Sequence, residues 1–364
     1  MKKTRFLSLF FSFLFLLAPS LAAVPSDSAD CAVLMTGDGE ILYQKNADKR
    51  RGMASTTKIM TAVVALEHVP LDRVVTVSGK AVGVEGSSVY LSANEKITME
   101  NLLYALMLQS ANDAAAAIAI EVAGSVEAFA DLMNEKAREL GLSDTHFENP
   151  HGLDGETHYT TARELAMIAA YALQNPDFAR IVSTVRRTVP LHDGSATRVL
   201  VNHNRLLRTY DDVIGVKTGF TKRCGRTLVS AARRDGLTLI CVTLCDGDDW
   251  RDHRALLDYG FSLYETATVL ESGEASYEIP VCGGRQKSVR LSNPDAVTLS
   301  RKKGEEITVK AEIPRFLYAG VEQGDVCGTL RFFRGGKEVA SCPLVAQETV
   351  EKNPKRTFWE KIGF

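Results

Sequence analysis

Residues 32–36 and 40–45 alternate apolar with polar positions on either side of Gly37-Asp38-Gly39, and this period of two predicts a β-hairpin. The period then changes. Ile59, Met60, Val63, Val64 and Leu66 recur at helical spacing up to His68, with Ser55 placed as the N-cap or in the first turn. Residues 97–141 stay helical. Leu102, Leu103, Leu106 and Met107 form one apolar face, residues 114–122 form a small-residue helix that can pack on all sides, and residues 126–140 form a third helix stopped by Gly141. A polar loop, HFENPHGLDGETHYT, leads to a helix over 161–173 that ends before Asn175-Pro176. From about residue 184 the period of two returns, with a strand pair at 184–189 and 197–201 and a strand at 213–218. Residues 226–233 and 237–244 form a hairpin around Asp235-Gly236, a strong two-residue turn signal. Residues 249–264 are helical again. Beyond about 275 the pattern is all-β, with strands at 297–299, 307–311 and 328–333 and a turn at Gly335-Gly336.

This order predicts an α+β fold: an antiparallel sheet flanked by helices with a helical insertion, followed by a small all-β sandwich. The expected units are 1–22, 23–272, 273–347 and 348–364. The first reads as an export signal. Lys2, Lys3 and Arg5 precede an apolar core at 6–17, and Ser20-Leu21-Ala22 offers a small-x-small cleavage site. That core is shorter than the roughly 20 residues a spanning helix needs, so the expected location is extracytoplasmic; an uncleaved anchor is the alternative. The final segment mixes Lys352, Lys355, Arg356 and Lys361 with Phe358, Trp359, Ile362 and Phe364. It suits either a short helix lying peripherally on the outer face of the cytoplasmic membrane or a frayed end.

Charge and cysteines narrow this further. Removing residues 1–22, with three basic residues and no acid, leaves 40 of the 43 lysines and arginines against 45 acids, a mildly acidic chain with nothing that argues for nucleic acid. Seven cysteines in an exported chain leave at least one unpaired, and their spacing fits neither a zinc site nor a disulfide scaffold. Cys241 and Cys245 read as buried thiols, and Cys282–Cys327 or Cys327–Cys342 are candidate bridges.

Three short motifs carry chemistry. In MASTTKIMTA, Ser55 and Lys58 lie three apart and face the same way on a helix, with Cβ atoms about 5–6 Å apart. Lys58 is either the charged tip of an amphipathic helix or a base whose pKa is pulled down enough to activate the Ser55 hydroxyl. A second Ser-x-x-Lys, at Ser300–Lys303, reads as a solvated loop. Ser110-Ala111-Asn112 breaks two helices; either polar residue can cap the second, or Ser110 can relay a proton while the Asn112 amide holds substrate backbone. Ser92-Ala93-Asn94 reads as a surface turn. Lys217-Thr218-Gly219 ends an apolar strand, where the glycine admits close approach of another chain and Lys217 with Thr218 suits a carboxylate.

Each motif alone is weak, but their order and context resemble one family. MASTTKIMTA, LMLQSANDAA, FENPHGLD and GVKTGFTKRCGRTLVSAA are similar to the low-molecular-mass penicillin-binding proteins that act as serine-type D-alanyl-D-alanine carboxypeptidases, over residues 32–264. The resemblance implies a β-lactamase/transpeptidase-like fold, a hydrolase acting on peptidoglycan stem peptides ending in D-Ala-D-Ala, inhibition by β-lactams, and no metal or organic cofactor. It implies Ser55 as nucleophile, Lys58 as base and Ser110 as proton relay. It assigns Asn112, Lys217, Thr218 and Gly219 to substrate binding, and the backbone N–H groups of Ser55 and Phe220 to the oxyanion. Some relatives carry an arginine ahead of Lys-Thr-Gly; His203, Arg205 and Arg251 stay outside the catalytic set. A D,D-endopeptidase or a β-lactamase would use the same motifs, the latter with Glu148 as the nearest match for a water-activating glutamate. A non-catalytic module that binds wall peptides is the remaining alternative. No G-x-S-x-G or H-E-x-x-H is present, and His151 and His158 read as residues that shape their loop.

Overall fold

A computed structural model describes residues 23–191, 194, 196–302 and 304–354; the export signal and most of the basic-aromatic tail lie outside them. Five antiparallel strands form the main sheet, in the order Ile41–Lys45, Cys31–Thr36, Leu237–Asp246, Gly225–Arg234, Val213–Thr221. The run LTLICVTL is mostly apolar because both of its faces are covered. Ile240 and Val242 join a core with the helices Lys58–His68 and Ala162–Ala172, whereas Leu239 and Cys241, pointing the other way, pack with Leu256, Leu257 and Phe261 of the helix Asp249–Ser262. Asp235 and Gly236 take φ of 46° and 77°, as a two-residue hairpin turn with both centres left-handed requires.

The helical insertion contains Met99–Leu108, Asn112–Ala123 and Val126–Glu139, and it packs behind the helix that follows Ser55. One helix escapes the periodicity. Asn175-Pro176 does not only end the preceding helix; the Asn175 side chain accepts from the N–H groups of Asp177 and Phe178 and starts Pro176–Ser183. The pair Arg186–Pro190 and Thr197–Val201 forms its own two-stranded sheet.

The C-terminal part is all-β. Six strands, with Val326–Arg334 and Lys337–Ala346 at their centre, combine with the pair Tyr264–Leu270 and Val297–Lys302 around Val289, Leu291, Leu330, Phe332 and Leu344. Ser300 corrects the loop expectation. It is buried in the strand Val297–Lys302, its N–H donates to the Asp235 carbonyl at 3.0 Å, and Arg334 donates to its own carbonyl. All seven cysteines are unpaired, so neither candidate bridge forms, and Cys245 is exposed while Cys241 is buried. Among the described residues no helix is long and apolar enough to cross a membrane.

Candidate active site

Ser55 lies on a single 3-10 turn, Ala54–Thr57, that runs directly into the helix Lys58–His68. Ala54 enters this turn at φ 47°, a left-handed value that costs a non-glycine residue and persists only where the surroundings hold it. The supports are visible. His158 accepts from the Glu148 N–H at Nδ1 (3.0 Å), so its Nε2 carries the proton and donates to Thr57 Oγ1 (2.8 Å). The Thr57 hydroxyl is then free to donate to the Ala54 carbonyl at 2.7 Å. Burial holds the His158 pKa down at about 4, so the ring is neutral and this polarity is stable at neutral pH. Gly152, at φ +88°, sits against the same carbonyl; a Cβ there would lie 1.9 Å from Ala54 O. Gly152→Ala is therefore expected to cost about 2 kcal/mol or more, read as a lowered thermal midpoint together with reduced activity. Thr57 and His158 hold the turn that carries Ser55, a role that periodicity and motif spacing do not reveal.

Lys58 is fully buried, and its Nζ has three partners: Ser55 Oγ at 3.0 Å, Asn112 Oδ1 at 2.7 Å and the His151 carbonyl. The Asn112 orientation is settled by its other end, where Nδ2 donates to the Glu85 carbonyl at 2.5 Å. Two of the three partners are thus oxygens that can only accept. A neutral amine has two hydrogens, and both are used by them. Its lone pair then faces the Ser55 hydroxyl. Burial, followed by the positive charge of Lys217, drives the Lys58 pKa well below 10.5, against a smaller opposing pull from Asp113. The amphipathic-tip reading of Lys58 does not survive: it points into the core.

Lys217 is also buried, and burial lowers its pKa to about 7. Its Nζ donates to the Thr218 carbonyl at 2.9 Å. The strand Val213–Thr221 lies beside the Ser55 turn. Gly219 makes that approach possible, since a Cβ on it would stand 2.9 Å from Ser55 N and 3.1 Å from Thr56 N. Phe220 follows with its side chain exposed. Ser110 is buried at the junction of two helices with φ 59°; the cap of the second helix is Ala111, with no side-chain bond, so neither Ser110 nor Asn112 serves as a cap. Parts of all three motifs meet around Lys58 and Ser55: Lys58 contacts Ser55, Asn112 contacts Lys58, the Gly219 strand lies against the Ser55 turn, and the Lys217 charge acts on Lys58.

Comparison with known proteins identifies the family. The family described as D-alanyl-D-alanine carboxypeptidase matches residues 19–247, and the C-terminal domain of penicillin-binding protein 5 matches residues 264–352. The chain belongs to the D-alanyl-D-alanine carboxypeptidase family. It is 33% identical over 347 residues to the D-alanyl-D-alanine carboxypeptidase DacF of Bacillus subtilis, covering 92% of this chain and 88% of that one. The DacC carboxypeptidase of Escherichia coli is 31% identical over 371 residues, with 94% and 90% covered. Among solved structures, penicillin-binding protein 5 of Haemophilus influenzae matches with a TM-score of 0.63 at 30% identity, covering 91% of this chain and 99% of that one. The Streptomyces K15 DD-transpeptidase matches at 0.63 and 36% identity, covering 66% of this chain and all of that one.

Within this carboxypeptidase-family site, Glu148 is not placed to activate water for Ser55. Its carboxylate accepts from the Thr157 hydroxyl at 2.5 Å and from the Thr157 N–H, contacts that hold it below the usual glutamate range on its own loop. Arg251 is tied to Asp252, and the His203 pKa is lowered by partial desolvation of its ring and then by the Lys217 charge.

Proposed function

We propose that this chain removes the terminal D-alanine from peptidoglycan stem pentapeptides through an acyl-enzyme on Ser55, and that penicillins inhibit it by acylating the same hydroxyl. The observation that carries this reading is the buried Lys58 amine, whose Nζ lies 3.0 Å from Ser55 Oγ and is held there by Asn112 Oδ1 and the His151 carbonyl. Ser55 Oγ adds to the carbonyl carbon between the two D-alanines while Lys58 takes its proton. The oxygen that becomes negative is held by the N–H groups of Ser55 and Phe220; the close approach of Gly219 to Ser55 N supports this assignment. The C–N bond then breaks, and Ser110 with Lys217 passes the proton to the departing amine. Thr218 and the Lys217 charge hold the leaving group's carboxylate, and Asn112 orients the peptide. Water completes hydrolysis and returns the proton to Ser55. A D,D-endopeptidase activity on cross-linked wall would use the same groups.

The division into an export signal (1–22), a catalytic unit (23–272), a β-sandwich (273–347) and a basic-aromatic segment (348–364) belongs to the same proposal. So do an extracytoplasmic location and a peripheral contact with the outer face of the cytoplasmic membrane.

Incubation with a peptide ending in D-Ala-D-Ala is expected to release D-alanine, and labelled penicillin is expected to add to Ser55 and to no other residue. Absence of both would remove the enzyme and leave a wall-peptide binder. Rapid turnover of penicillin, instead of a held adduct, would point to a β-lactamase.

A further inference from the structure

We propose that Arg198 is a positioning residue for Lys58, acting through a clamp on the segment 85–95; the proposal rests on the acyl-enzyme reading above. Asn112 owes its place to that segment. The Glu85 carbonyl takes its side-chain amide, the Ser87 carbonyl takes its backbone N–H at 2.7 Å, and Gly86, at φ +96°, leaves room that a Cβ would fill to within 2.7 Å of Nδ2. The segment has little regular structure of its own, and it includes Tyr90 at φ 57° with its ring 84% exposed. Two side chains hold it from opposite ends. Asp113, buried beside Asn112, accepts from Ser88 Oγ (2.7 Å) and from the N–H groups of Val89 (3.3 Å) and Leu91 (2.9 Å). Arg198 comes from a different part of the fold, the small sheet of Arg186–Pro190 and Thr197–Val201. Its Nε donates to the Val89 carbonyl at 2.9 Å and its Nη2 to the Tyr90 carbonyl at 3.1 Å, and the guanidinium forks onto both oxygens of Glu95. Both ends of this ion pair are largely buried, so it is not an ordinary surface pair. A planar fork with five donors matches this set of acceptors, which a lysine cannot.

The consequence lies in the Lys58 pKa. Burial is its first cause. Loosening the segment 85–95 withdraws Asn112 and admits water, so the Lys58 pKa rises toward its ordinary value. The base is then more protonated at neutral pH, and the loss of activity shrinks as pH rises.

The test compares Arg198→Ala, Arg198→Lys and Glu95→Gln with the unchanged full chain. Arg163→Ala is the control, since it removes a two-pronged but more exposed pair with Asp48, away from the segment 85–95. Ser55 acylation by labelled penicillin is followed as a function of pH, alongside thermal melting. Arg198→Ala is expected to acylate about tenfold or more slowly at pH 7, with its ascending pH limb displaced upward, Arg198→Lys intermediate and Arg163→Ala unchanged. Should Arg198→Ala not fold, Glu95→Gln carries the same comparison. Acylation within about twofold of the parent at every pH, or a uniform loss with the limb in place, overturns the proposal. If the parent chain neither releases D-alanine nor takes up label, the function reading has failed. The clamp is then judged by amide exchange, where faster exchange of the Asn112 N–H in Arg198→Ala supports it and unchanged exchange overturns it.

Discussion

Lys58→Ala lowers the rate of Ser55 acylation about 10³-fold, within the range that a positioned general base supplies. The substitution leaves the hydroxyl with no group to take its proton, and it also orphans Asn112 Oδ1 and the His151 carbonyl. Lys58→Met separates these effects, because it refills most of the buried volume while still removing the base. Its acylation is expected to be as slow as that of Lys58→Ala, with a smaller loss of thermal stability. Lys58→Arg keeps a long basic side chain but is also inactive, since a guanidinium stays protonated and has no lone pair to offer. The KM for a D-Ala-D-Ala peptide moves little in Lys58→Met, because the amine acts on Ser55 and not on the bound peptide. Retention of more than about a tenth of the acylation rate in all three variants would assign the proton transfer to another group.

Gly219→Ala lowers acylation by about 10² to 10³, the cost of losing an oxyanion donor. The new methyl would stand 2.4 Å from Thr227 Oγ1, 2.9 Å from Ser55 N and 3.1 Å from Thr56 N. Thr227 cannot simply swing aside, since it is buried and its hydroxyl donates to the Met53 carbonyl at 3.1 Å. The other two atoms are backbone of the nucleophile's turn. Either the strand or the turn must back away, and each movement separates the Ser55 and Phe220 N–H groups proposed to hold the developing negative oxygen. The difficulty is one of space and not of dihedral angle, so the protein should fold and its circular dichroism should match the parent. A loss smaller than about threefold would place the oxyanion elsewhere.

The elements of the fold were legible where one periodicity ran without competition. The hairpins around Gly37-Asp38-Gly39 and Asp235-Gly236 and the three insertion helices follow directly from alternation, helical spacing and turn residues. The helix Pro176–Ser183 did not, because Asn-Pro both stops one helix and starts another. Ser300 misled in the opposite sense. Its neighbours Arg301 and Lys302 look like a solvated loop, yet they lie in a strand where the two parts of the chain meet, and Arg301 and Lys302 pair with Glu265 and Glu40. In the candidate site, the pairing of Ser55 with Lys58 was recognisable from residue types and spacing. Thr57, His158 and Gly152 were not, since they act on the Ala54 carbonyl, a backbone group that leaves no mark in the side-chain pattern. Arg198 was hidden for a related reason: two of its partners are the carbonyls of Val89 and Tyr90.

The claim on which the account depends is that Lys58 meets Ser55 as a neutral amine. The pH dependence of Ser55 acylation in the full chain tests it most directly. Below the Lys58 pKa the ammonium has no lone pair, so the rate rises with pH as that proton leaves, and burial places this limb well below 10.5. Loss of the Lys217 charge from about pH 7 upward then weakens carboxylate binding, and the profile of kcat/KM turns down. In kcat the descending limb moves to higher pH, because a bound carboxylate favours the charged form of Lys217. A rate already substantial at neutral pH, with its ascending limb well below 10.5, is the predicted result; a rate that is negligible at neutral pH and climbs only toward the ordinary lysine value of 10.5 would contradict it.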